Sequence, residues 1–283
     1  MGQDRDAVSQ RQVIGLIPAG GQATRLAPLP MSKELYPIGF RPVDDGRSVR
    51  PKVVCHYLLE KMRLAGIRKA YIVLRAGKWD IPAYFGDGSM LDMHLAYLMM
   101  NRPFGAPYTL DQAYPFVGDA LVAVGFPDIL FQPCDAFVLL LARQAATHAD
   151  VVLGLFPIAP RQKADMVVVD DDGRVRQIVI KPVQTRLRYA WIIAVWTPAF
   201  ARFMHDFLAS QPDASHTTRD TAPEPSELFI GDIFQAAIDQ NICVEAVCFP
   251  EGSFLDIGIP DNLVKAVQTM ADPRFSCTLP PNC

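Results

Sequence analysis

The sequence predicts an α/β fold in which a mostly parallel mixed sheet is covered by helices on both faces. Through the first half of the chain, short apolar strands alternate with helical segments of about 10–15 residues, which is typical of strand–helix–strand units. The second half changes character, because Met166–Val169 and Val175–Ile180 flank a turn at Asp170–Gly173. This pattern predicts a small β-hairpin region added to the parallel sheet.

The predicted elements follow one another in a Rossmann-like order. Strands are predicted at Val13–Ile17, Ala70–Leu74, His94–Met100, Ile129–Gln132, Val151–Phe156 and Tyr189–Trp196. Helices are predicted at Val54–Ala65, around Leu121–Val124, at Phe137–His148 and at Phe200–Leu208. The strands are short apolar runs of the kind that a buried sheet produces. Residues 210–226 are polar and rich in proline, so they predict a loop.

Composition indicates a globular protein and excludes several classes of function. The chain has 283 residues, of which 50% are hydrophobic, and this is enough for one large domain over residues 12–270 with tails at 1–11 and 271–283. The 27 basic and 30 acidic residues give a net charge of −3, which argues against a general binder of nucleic acid or of membrane surfaces.

Location is predicted from what the sequence does not contain. No apolar run approaches the roughly 18–20 residues that span a bilayer, and the polar N-terminus is unlike a signal peptide. A cytoplasmic protein without membrane partners is therefore expected. The six cysteines are scattered without a metal-binding spacing, so free thiols are expected rather than disulfides or zinc ligands.

The most informative segment is the turn that follows the first strand. After Val13–Ile17 come four residues predicted to contact an anion: Ala19, Gly20, Gly21 and Thr24. Paired glycines let backbone N–H groups approach an anion closely, because no Cβ intervenes. Arg25 and Lys33 add two cations, which suit a di- or triphosphate. The alternative is an ordinary glycine turn with two surface cations, and the glycine spacing matches neither the dinucleotide fingerprint nor the ATPase P-loop.

The same segment resembles a known family. Residues 20–38 (GGQATRLAPLPMSKELYPI) are similar to the N-terminal motif of the sugar-1-phosphate nucleotidyltransferases, most closely their glucose-1-phosphate thymidylyltransferase branch. Further short matches occur in the family's order: HYLLEKMRLAGI (56–67), AYIVL (70–74), YFGDGS (84–89), IKP (180–182), RYA (188–190), ELFIGDI (227–233) and FLDIGIPDNL (254–263).

The resemblance implies an activity and a division of the chain. Residues 12–160 would form the nucleotide-binding half and 161–270 the sugar-phosphate-binding half. The implied reaction joins an NTP, with dTTP favoured, to a sugar 1-phosphate and releases pyrophosphate. Arg25 and Lys33 would hold the β- and γ-phosphates, and Lys181 would orient the attacking sugar phosphate. A homo-oligomer is also implied, since family members are commonly dimers or tetramers.

The resemblance also implies Mg²⁺, held by one aspartate after each of two strands. Asp256 in FLDIG matches the second position. A strict match puts Cys134 on the first position, but a thiol is a poor ligand for Mg²⁺, so Asp135 is predicted instead. Asp128 begins the predicted strand and is expected at the opposite edge of the sheet. The alternative is that these aspartates merely cap turns.

The implied sugar-phosphate contacts depart from the family. Lys181 in IKP matches the phosphate-binding lysine, but Ile180 stands where the family has a carboxylate that binds sugar hydroxyls. Tyr189 is retained, whereas Asp165 and Ile193 replace glycines. The sequence therefore predicts a tighter and less polar sugar pocket than one for glucose.

The implied base pocket also departs from the family. The strand that should end in a base-pairing glutamine ends in Met100, and Gln112 in the following insertion is the substitute predicted to reach back. Gly118 is predicted to take the place of the glycine that lets the base approach the backbone. Two alternatives remain open: an enzyme that uses another NTP or a non-glucose phosphate, and a catalytically silent nucleotide-binding regulatory protein.

Overall fold

The computed structural model describes residues 11–43, 46–100, 105–158, 164–211 and 228–269. In the first half of the chain, the elements are β1 (Val13–Pro18), β2 (Pro37–Val43), β3 (Ser48–Val53), α1 (Val54–Leu64), β4 (Lys69–Arg75), α2 (Asp80–Phe85), β5 (His94–Met100), α3 (Ala106–Asp111), α4 (Tyr114–Val117), β6 (Leu121–Val124), β7 (Ile129–Gln132) and α5 (Ala136–Thr147). In the second half they are β8 (Val151–Pro157), β9 (Met166–Val169), β10 (Val175–Val179), β11 (Tyr189–Trp196), α6 (Pro198–Ala209), α7 (Ile230–Asp239), β12 (Val244–Cys248), β13 (Ser253–Asp256) and α8 (Pro260–Thr269).

The central sheet has nine strands in the part of the chain that the structure describes. β1 lies between β4 and β6, parallel to both, and β5 continues the parallel part beside β4. β11 runs antiparallel to β6 and also pairs with β8 and β9, so it joins the parallel part to the rest of the sheet. The hairpin of β9 and β10 forms one edge, and β12 lies parallel to β8. The predicted α/β class with a mostly parallel mixed sheet is confirmed.

Helices cover both faces of this sheet because its strands are apolar on both sides. One core cluster contains residues of α1 and α5, such as Leu59 and Phe137. The other contains residues of α6 and α7, such as Phe200 and Phe234. Burial on both faces explains why the inner strands are continuous apolar runs rather than alternating ones.

Two antiparallel ribbons lie outside the central sheet. β2 pairs with β3, and β7 pairs with β13. The second ribbon places the segment between β6 and β7 next to the segment between β13 and α8. This connection matters for the site, because it joins residues near 128 to residues near 256.

Most predicted elements are confirmed, but Leu121–Val124 is a strand and not part of a helix. All four of its residues are buried, because β6 lies between β1 and β11 in the middle of the sheet. The predicted hairpin, with its turn at Asp170–Gly173, is present. The predicted loop at 210–226 falls mostly outside the described residues.

One cysteine differs from the prediction that all six are free thiols. Cys134 is disulfide-bonded, so the expectation of a free thiol is wrong there, whereas Cys55, Cys243 and Cys248 are free. Among the described residues, none of the helices is long and apolar enough to cross a membrane.

Phe234 of α7 is expected to be a major source of stability. Its ring is completely buried and packs against the rings of Trp191, Trp196 and Phe200. Phe234→Ala is expected to lower the free energy of unfolding by about 3–5 kcal/mol, the usual cost of deleting a buried aromatic ring. Urea denaturation would measure the change, with Phe40→Ala as the control because that ring is 69% exposed. A loss below about 1 kcal/mol, the average for all point mutations, would contradict this packing.

Candidate active site

The loop after β1 crosses the carboxyl ends of the parallel strands. Ala19, its first residue, is held against β4 because its backbone N–H donates to the carbonyl oxygen of Val73 at 2.8 Å. Gly20 is buried, and a Cβ built on it would lie 2.7 Å from Sδ of Met100. Any larger residue at this position would require the Met100 side chain to move where the loop passes the end of β5. The next part of the loop, including Gly21 and Thr24, is exposed to solvent.

Lys33 brings a cation to this loop from a short 3₁₀ helix, Lys33–Leu35. Its Nζ lies 3.7 Å from the position of a Cβ built on Gly21. It forms an ion pair with Asp128, and the two side chains are only 14% and 12% exposed. Burial opposes the charge on Lys33, but the charge and hydrogen bond of Asp128 together with the charges of Glu34 and Asp256 outweigh this effect and raise the pKa of Lys33. Lys33 therefore stays protonated beside the loop at physiological pH.

The carboxylates of Asp128 and Asp256 lie together beside Lys33. Asp128 directly precedes β7, and the antiparallel register pairs Asp256 with Ile129. The backbone N–H of Ile257 donates to the carbonyl oxygen of Asp128 at 3.0 Å, which makes the two aspartates neighbours. Burial, and then the negative charge of Asp128, raise the pKa of Asp256. Two carboxylates that repel each other in a half-buried position favour a bound cation.

Arg25 and Gly258 complete this cluster. Nη2 of Arg25 lies 3.4 Å from Oδ2 of Asp256, and the arginine side chain is 60% exposed. The backbone N–H of Gly258 donates to Oδ1 of Asp256 at 2.8 Å. A Cβ on Gly258 would lie 2.9 Å from that oxygen and 3.0 Å from Nη2 of Arg25. Gly258 was not predicted as a site residue, although it lies only two residues after Asp256.

The prediction that Asp135 pairs with Asp256 is wrong in this structure. Asp135 is exposed and directly precedes α5, beyond the end of β7 where Gln132 pairs with Ser253. Asp256 pairs with Ile129 at the other end of the ribbon. At roughly 3.3 Å per residue, the two ends of β7 are about 10 Å apart. Asp128, expected at the opposite edge, is the aspartate that lies next to Asp256.

Helix α3 closes the other side of the loop. Thr109 is buried, and its Oγ1 donates to the carbonyl oxygen of Gly105 at 3.0 Å and contacts Sδ of Met100 at 3.4 Å. The same Oγ1 lies 3.8 Å from the position of a Cβ on Gly20. Gly105 has a φ of +105°, which favours glycine. Met100 and Thr109 are thus neighbours of the loop, and Thr109, which the carbonyl oxygen of Gly105 holds in place, is one that the sequence analysis did not predict.

Gln112 and Gly118 do not lie at the loop. Gln112 is exposed, and its Nε2 donates to the carbonyl oxygen of Tyr108 in the preceding turn at 3.3 Å. Gly118 precedes β6, whose first residue Leu121 pairs with Val13 at the beginning of β1. Gly118 therefore lies at the amino ends of the parallel strands, opposite the loop, and its prediction as a nucleotide contact is wrong. The side chain of Gln112 does not reach back as predicted.

Lys181 defines a second part of the site, where β10 ends. Its Nζ lies 3.4 Å from the centre of the Phe229 ring, just before α7. Its φ of +36° is in the left-handed region, which costs a lysine about 1–2 kcal/mol. Asp165 is adjacent: burial raises its pKa, although the charge and the backbone N–H of Lys181 favour the ionised form. A strained lysine beside a half-buried carboxylate is typical of a ligand site.

Ile180 and Tyr189 lie in the same region. A Cβ built on Gly231 would lie 2.5 Å from Cδ1 of Ile180, so Ile180 packs against the first turn of α7. Tyr189 begins β11 and packs against the apolar cluster on the same face of the sheet. Both side chains are half-buried, which leaves part of each for a ligand.

The side chain of Ile193 points into the core, so the prediction that it adds bulk to a sugar pocket is wrong. β11 has an irregularity in its pairing with β8 between Trp191 and Ile193. Ile193 is completely buried, and a Cβ on Gly154 would lie 2.6 Å from its Cγ1. The side chain therefore fills the core under α5 rather than a ligand pocket.

A cleft of about 560 Å³ lies beside the loop, and Lys33, Arg75 and Lys78 contribute to its lining. Nζ of Lys78 donates to Oε1 of Glu34 at 2.6 Å, and both side chains are almost completely buried. Burial lowers the pKa of Lys78 and raises that of Glu34. Nε of Arg75 is buried without a hydrogen-bond partner among the described residues. A cleft with these cations suits phosphate groups.

The available side chains suit a magnesium ion that also binds water and substrate phosphates, and not a metal site formed by protein ligands alone. Among the described residues, there is no group of three or more histidine, cysteine or acidic side chains that could hold a metal. Asp128 and Asp256 supply two carboxylates, and Mg²⁺ is usually bound by one or two carboxylates together with water and substrate phosphates. The pair therefore fits Mg²⁺ that arrives with a phosphorylated substrate.

Comparison with known families agrees with this geometry. The model of the nucleotidyl transferase family matches residues 14–272, which include every residue placed at the site above. The chain belongs to the nucleotidyl transferase family.

Two curated relatives are similar at low identity. The chain is 24% identical over 267 residues to the low-salt glycan biosynthesis nucleotidyltransferase Agl11 of Haloferax volcanii, and the match covers 92% of this chain and 66% of the relative. It is 27% identical over 181 residues to a glucose-1-phosphate thymidylyltransferase of Mycolicibacterium smegmatis, covering 62% of this chain and 58% of the relative. The chain thus spans less than two thirds of the length of these relatives.

Solved structures share the fold. A putative glucose-1-phosphate thymidylyltransferase from Bacillus anthracis, in complex with a sucrose, superposes with a TM-score of 0.76 at 18% identity and covers 93% of this chain and 98% of that one. UDP-glucose pyrophosphorylase from Acinetobacter baumannii superposes with a TM-score of 0.70 at 17% identity, covering 90% and 92%. At these identities the likeness concerns the fold alone.

Proposed function

We propose that this protein transfers a nucleotidyl group from an NTP to a sugar 1-phosphate and releases pyrophosphate. One observation carries the proposal: the glycine loop, two cations and two carboxylates converge at the carboxyl ends of the parallel strands. Ligands of open α/β sheets bind outside these strand ends. Membership of the nucleotidyl transferase family supports the same reaction class.

In this reaction an oxygen of the sugar phosphate attacks the α-phosphorus of the NTP. The new bond is P–O, and the bond that breaks joins the α-phosphorus to the bridging oxygen, which leaves with its electron pair on pyrophosphate. A phosphomonoester is largely deprotonated near neutral pH, so no side chain has to act as a base. The protein contributes position and charge stabilisation.

Each charged residue of the loop region then has a role. Lys33 and Arg25 bind the β- and γ-phosphates and stabilise the negative charge that develops on the leaving pyrophosphate. Asp128 and Asp256 would hold Mg²⁺, which when bound neutralises phosphate charge. Because Lys33 and Arg25 now pair with these carboxylates, a divalent cation at the carboxylates would leave both side chains available for the phosphates.

Lys181 is assigned to the other reactant. It lies after β10, apart from the loop, and its exposed ammonium rests on the Phe229 ring. Binding the phosphate of the sugar 1-phosphate there would orient the attacking oxygen. Tyr189 and Ile180 would line the adjoining sugar pocket, while Met100 and Thr109 would contact the nucleoside beside the loop.

The choice of nucleotide is proposed from the relatives. Glucose-1-phosphate thymidylyltransferases occur repeatedly among them, so dTTP is the first candidate. UTP is the second, because a structural neighbour is a UTP-bound UDP-glucose pyrophosphorylase. Steady-state pyrophosphate release with dTTP, UTP, CTP, ATP and GTP would rank them. A homo-oligomer is also proposed, and light scattering would measure its mass.

α-D-Glucose 1-phosphate is expected to be a poor substrate. Ile180 offers no acceptor for a sugar hydroxyl, and its side chain packs against α7. A sugar phosphate with a different pattern of hydroxyls is preferred, because an unpaired buried polar group weakens binding. A kcat/KM for glucose 1-phosphate with dTTP at or above about 10⁴ M⁻¹s⁻¹, the lower end for ordinary enzymes, would contradict this expectation.

The test of the proposed function is a panel of NTPs and sugar 1-phosphates with Mg²⁺, in which pyrophosphate release is measured. Release that requires both substrates and Mg²⁺ supports the proposal. Tight nucleotide binding without release for any pair would instead favour a catalytically silent binding protein. The retention of Arg25, Lys33 and Lys181 favours the enzyme.

A further inference from the structure

The residues on either side of Lys33 are both bonded to one turn, which connects β4 to α2. Ser32 precedes Lys33, and its backbone N–H and its Oγ donate to Oδ2 and Oδ1 of Asp80, each at 2.7 Å. Glu34 follows Lys33, and its Oε1 accepts from Nζ of Lys78 at 2.6 Å. Lys33 is therefore flanked by two attachments to the same turn.

The turn between β4 and α2 (residues 76–80) is a firm support for these attachments. It directly follows β4, the strand that lies beside β1 in the central sheet. Ile81, the residue after the turn, is completely buried and belongs to the same core cluster as Leu59 of α1. Within the turn, the backbone N–H of Lys78 donates to the carbonyl oxygen of Arg75 at 3.3 Å. Residues bonded to this turn are thus held in place relative to the carboxyl ends of the strands.

Neither attachment is explained by the short 3₁₀ helix that begins at Lys33. A serine before a helix normally accepts from an N–H of the first turn, but Ser32 makes no such capping bond and donates to Asp80 instead. Glu34 is only 1% exposed, and its buried ion pair with Lys78 contributes little net stability because both charges lose their hydration. The position that the two contacts give to Lys33 explains them better than stability does.

Lys33 has to exchange partners in the proposed reaction, and this requires a fixed backbone. Its Nζ now pairs with Asp128 and lies near Gly21 of the glycine loop. In the proposed reaction this ammonium moves from the carboxylate to the phosphates of the NTP. A lysine side chain can do this by rotating its own bonds if its Cα stays within reach, whereas a displacement of about 1 Å costs up to about 10²-fold in rate.

We propose that Asp80 and Lys78 are positioning residues, which hold the backbone on both sides of Lys33 so that its ammonium can bind the phosphates of the NTP. This inference rests on the proposed function. Asp80 acts through Ser32, and Lys78 acts through Glu34. Because both act on a residue assigned to the NTP, their loss is expected to leave the KM for the sugar 1-phosphate unchanged.

The test is a double-mutant cycle between the turn and Lys33, measured as pyrophosphate release with the NTP and sugar 1-phosphate that the wild type uses best. Asp80→Ala removes both acceptors of Ser32 and is made with and without Lys33→Ala. Ser32→Ala is a milder variant that removes only the Oγ bond. Asp87→Ala is the matched control, because Asp87 accepts from the backbone N–H of Ser89 at 2.9 Å but precedes β5, near the amino ends of the parallel strands.

The expected result is a loss that depends on Lys33. Asp80→Ala should lower kcat/KM for the NTP by about 10- to 100-fold when Lys33 is present. With Lys33→Ala it should lower kcat/KM by less than about twofold, because the ammonium whose position it controls is already absent. Lys78→Met and Ser32→Ala should show the same dependence on Lys33, and Asp87→Ala should leave the kinetic constants unchanged in both backgrounds. Thermal unfolding would verify that each variant is folded.

A purely structural role gives a different pattern. If Asp80→Ala has wild-type kinetics, lowers kcat/KM by the same factor with and without Lys33, or raises the KM for the sugar 1-phosphate as much as that for the NTP, the inference is overturned and the proposed function stands. If Asp80→Ala does not fold, Ser32→Ala decides by the same criteria.

Failure of the proposed function is recognised separately. If the wild type binds the NTP but releases no pyrophosphate with any sugar 1-phosphate, the proposed function fails. The same cycle is then measured as NTP affinity by isothermal titration calorimetry. Additive losses of affinity for Asp80→Ala and Lys33→Ala would overturn the inference as well, whereas a loss that requires Lys33 would support it.

Discussion

Replacing Asp128 or Asp256 with asparagine is expected to reduce kcat by about 10²-fold or more, because each change removes a charge that would hold Mg²⁺ against the phosphates. The two carboxylates are neighbours, and the charge of Asp128 contributes to the raised pKa of Asp256. Loss of either should also weaken the apparent affinity for Mg²⁺. Initial rates of pyrophosphate release over a range of Mg²⁺ concentrations would measure both effects, and thermal unfolding would show that the fold is intact.

Asp135→Asn is the matched control for this experiment. Asp135 is exposed at the start of α5, so the variant is expected to keep wild-type kcat and Mg²⁺ dependence. The opposite pattern, with an inactive Asp135→Asn and a nearly normal Asp128→Asn, would show that the ribbon of β7 and β13 has a different register in the active protein.

Lys33→Ala and Lys181→Ala are expected to affect different reactants. Lys33 lies against Gly21 and pairs with Asp128, so its loss should lower kcat/KM for the NTP by about 10²-fold, as expected for a group that stabilises the developing charge. Lys181 lies at the end of β10, and its loss should mainly raise the KM for the sugar 1-phosphate, by about tenfold or more. Initial rates with each substrate varied in turn would separate these effects.

Lys69→Ala serves as the control for the two lysine variants. Lys69 is exposed and begins β4, at the amino ends of the parallel strands and far from the loop. It is expected to leave both kinetic constants unchanged. Equal effects of Lys33→Ala and Lys181→Ala on both substrates would contradict their assignment to separate phosphates.

The sequence predicted the fold class because the strand signals were strong. Long apolar runs such as Val151–Phe156 and Tyr189–Trp196 are strands as predicted. The predicted helix at Leu121–Val124 is wrong, since four consecutive apolar residues show no period that separates a buried strand from a buried helix. Only its pairing with β1 and β11, which is a tertiary property, makes it a strand.

The error at Leu121–Val124 explains the error at Asp135. Because the sequence does not reveal β6 as a strand, it predicts Ile129–Gln132 as the next strand of the central sheet and the aspartate after it at the ligand edge. The structure puts this strand in a separate ribbon with β13, so the aspartate before it faces the site. One feature of the sequence could have identified Asp128 as a site residue: it is the last residue of the short segment GFPD (125–128), which directly follows a buried apolar run.

The other site residues were predicted correctly where a local motif determines the backbone around them, and incorrectly where it does not. The glycine loop, Lys33, Lys181 and Asp256 were identifiable because glycine spacing and isolated charges at strand ends have local causes. Ile193 was misplaced because an irregularity in β11, which the sequence does not reveal, directs its side chain toward α5. Gln112 was misplaced because the short helix α3 fills the insertion that contains it, and Gly118 was misplaced because it ends the short helix α4, just before β6 begins at the opposite edge of the sheet.

The central claim is that one site brings an NTP and a sugar 1-phosphate together for nucleotidyl transfer. ³¹P nuclear magnetic resonance of the wild type with dTTP or UTP, a panel of sugar 1-phosphates and Mg²⁺ tests it most directly, because the technique identifies every phosphorus product. The account predicts that a nucleotide sugar and pyrophosphate appear in equal amounts, and that neither appears with Asp128→Asn. Release of inorganic phosphate without a nucleotide sugar, or no reaction despite saturating nucleotide binding, would contradict it.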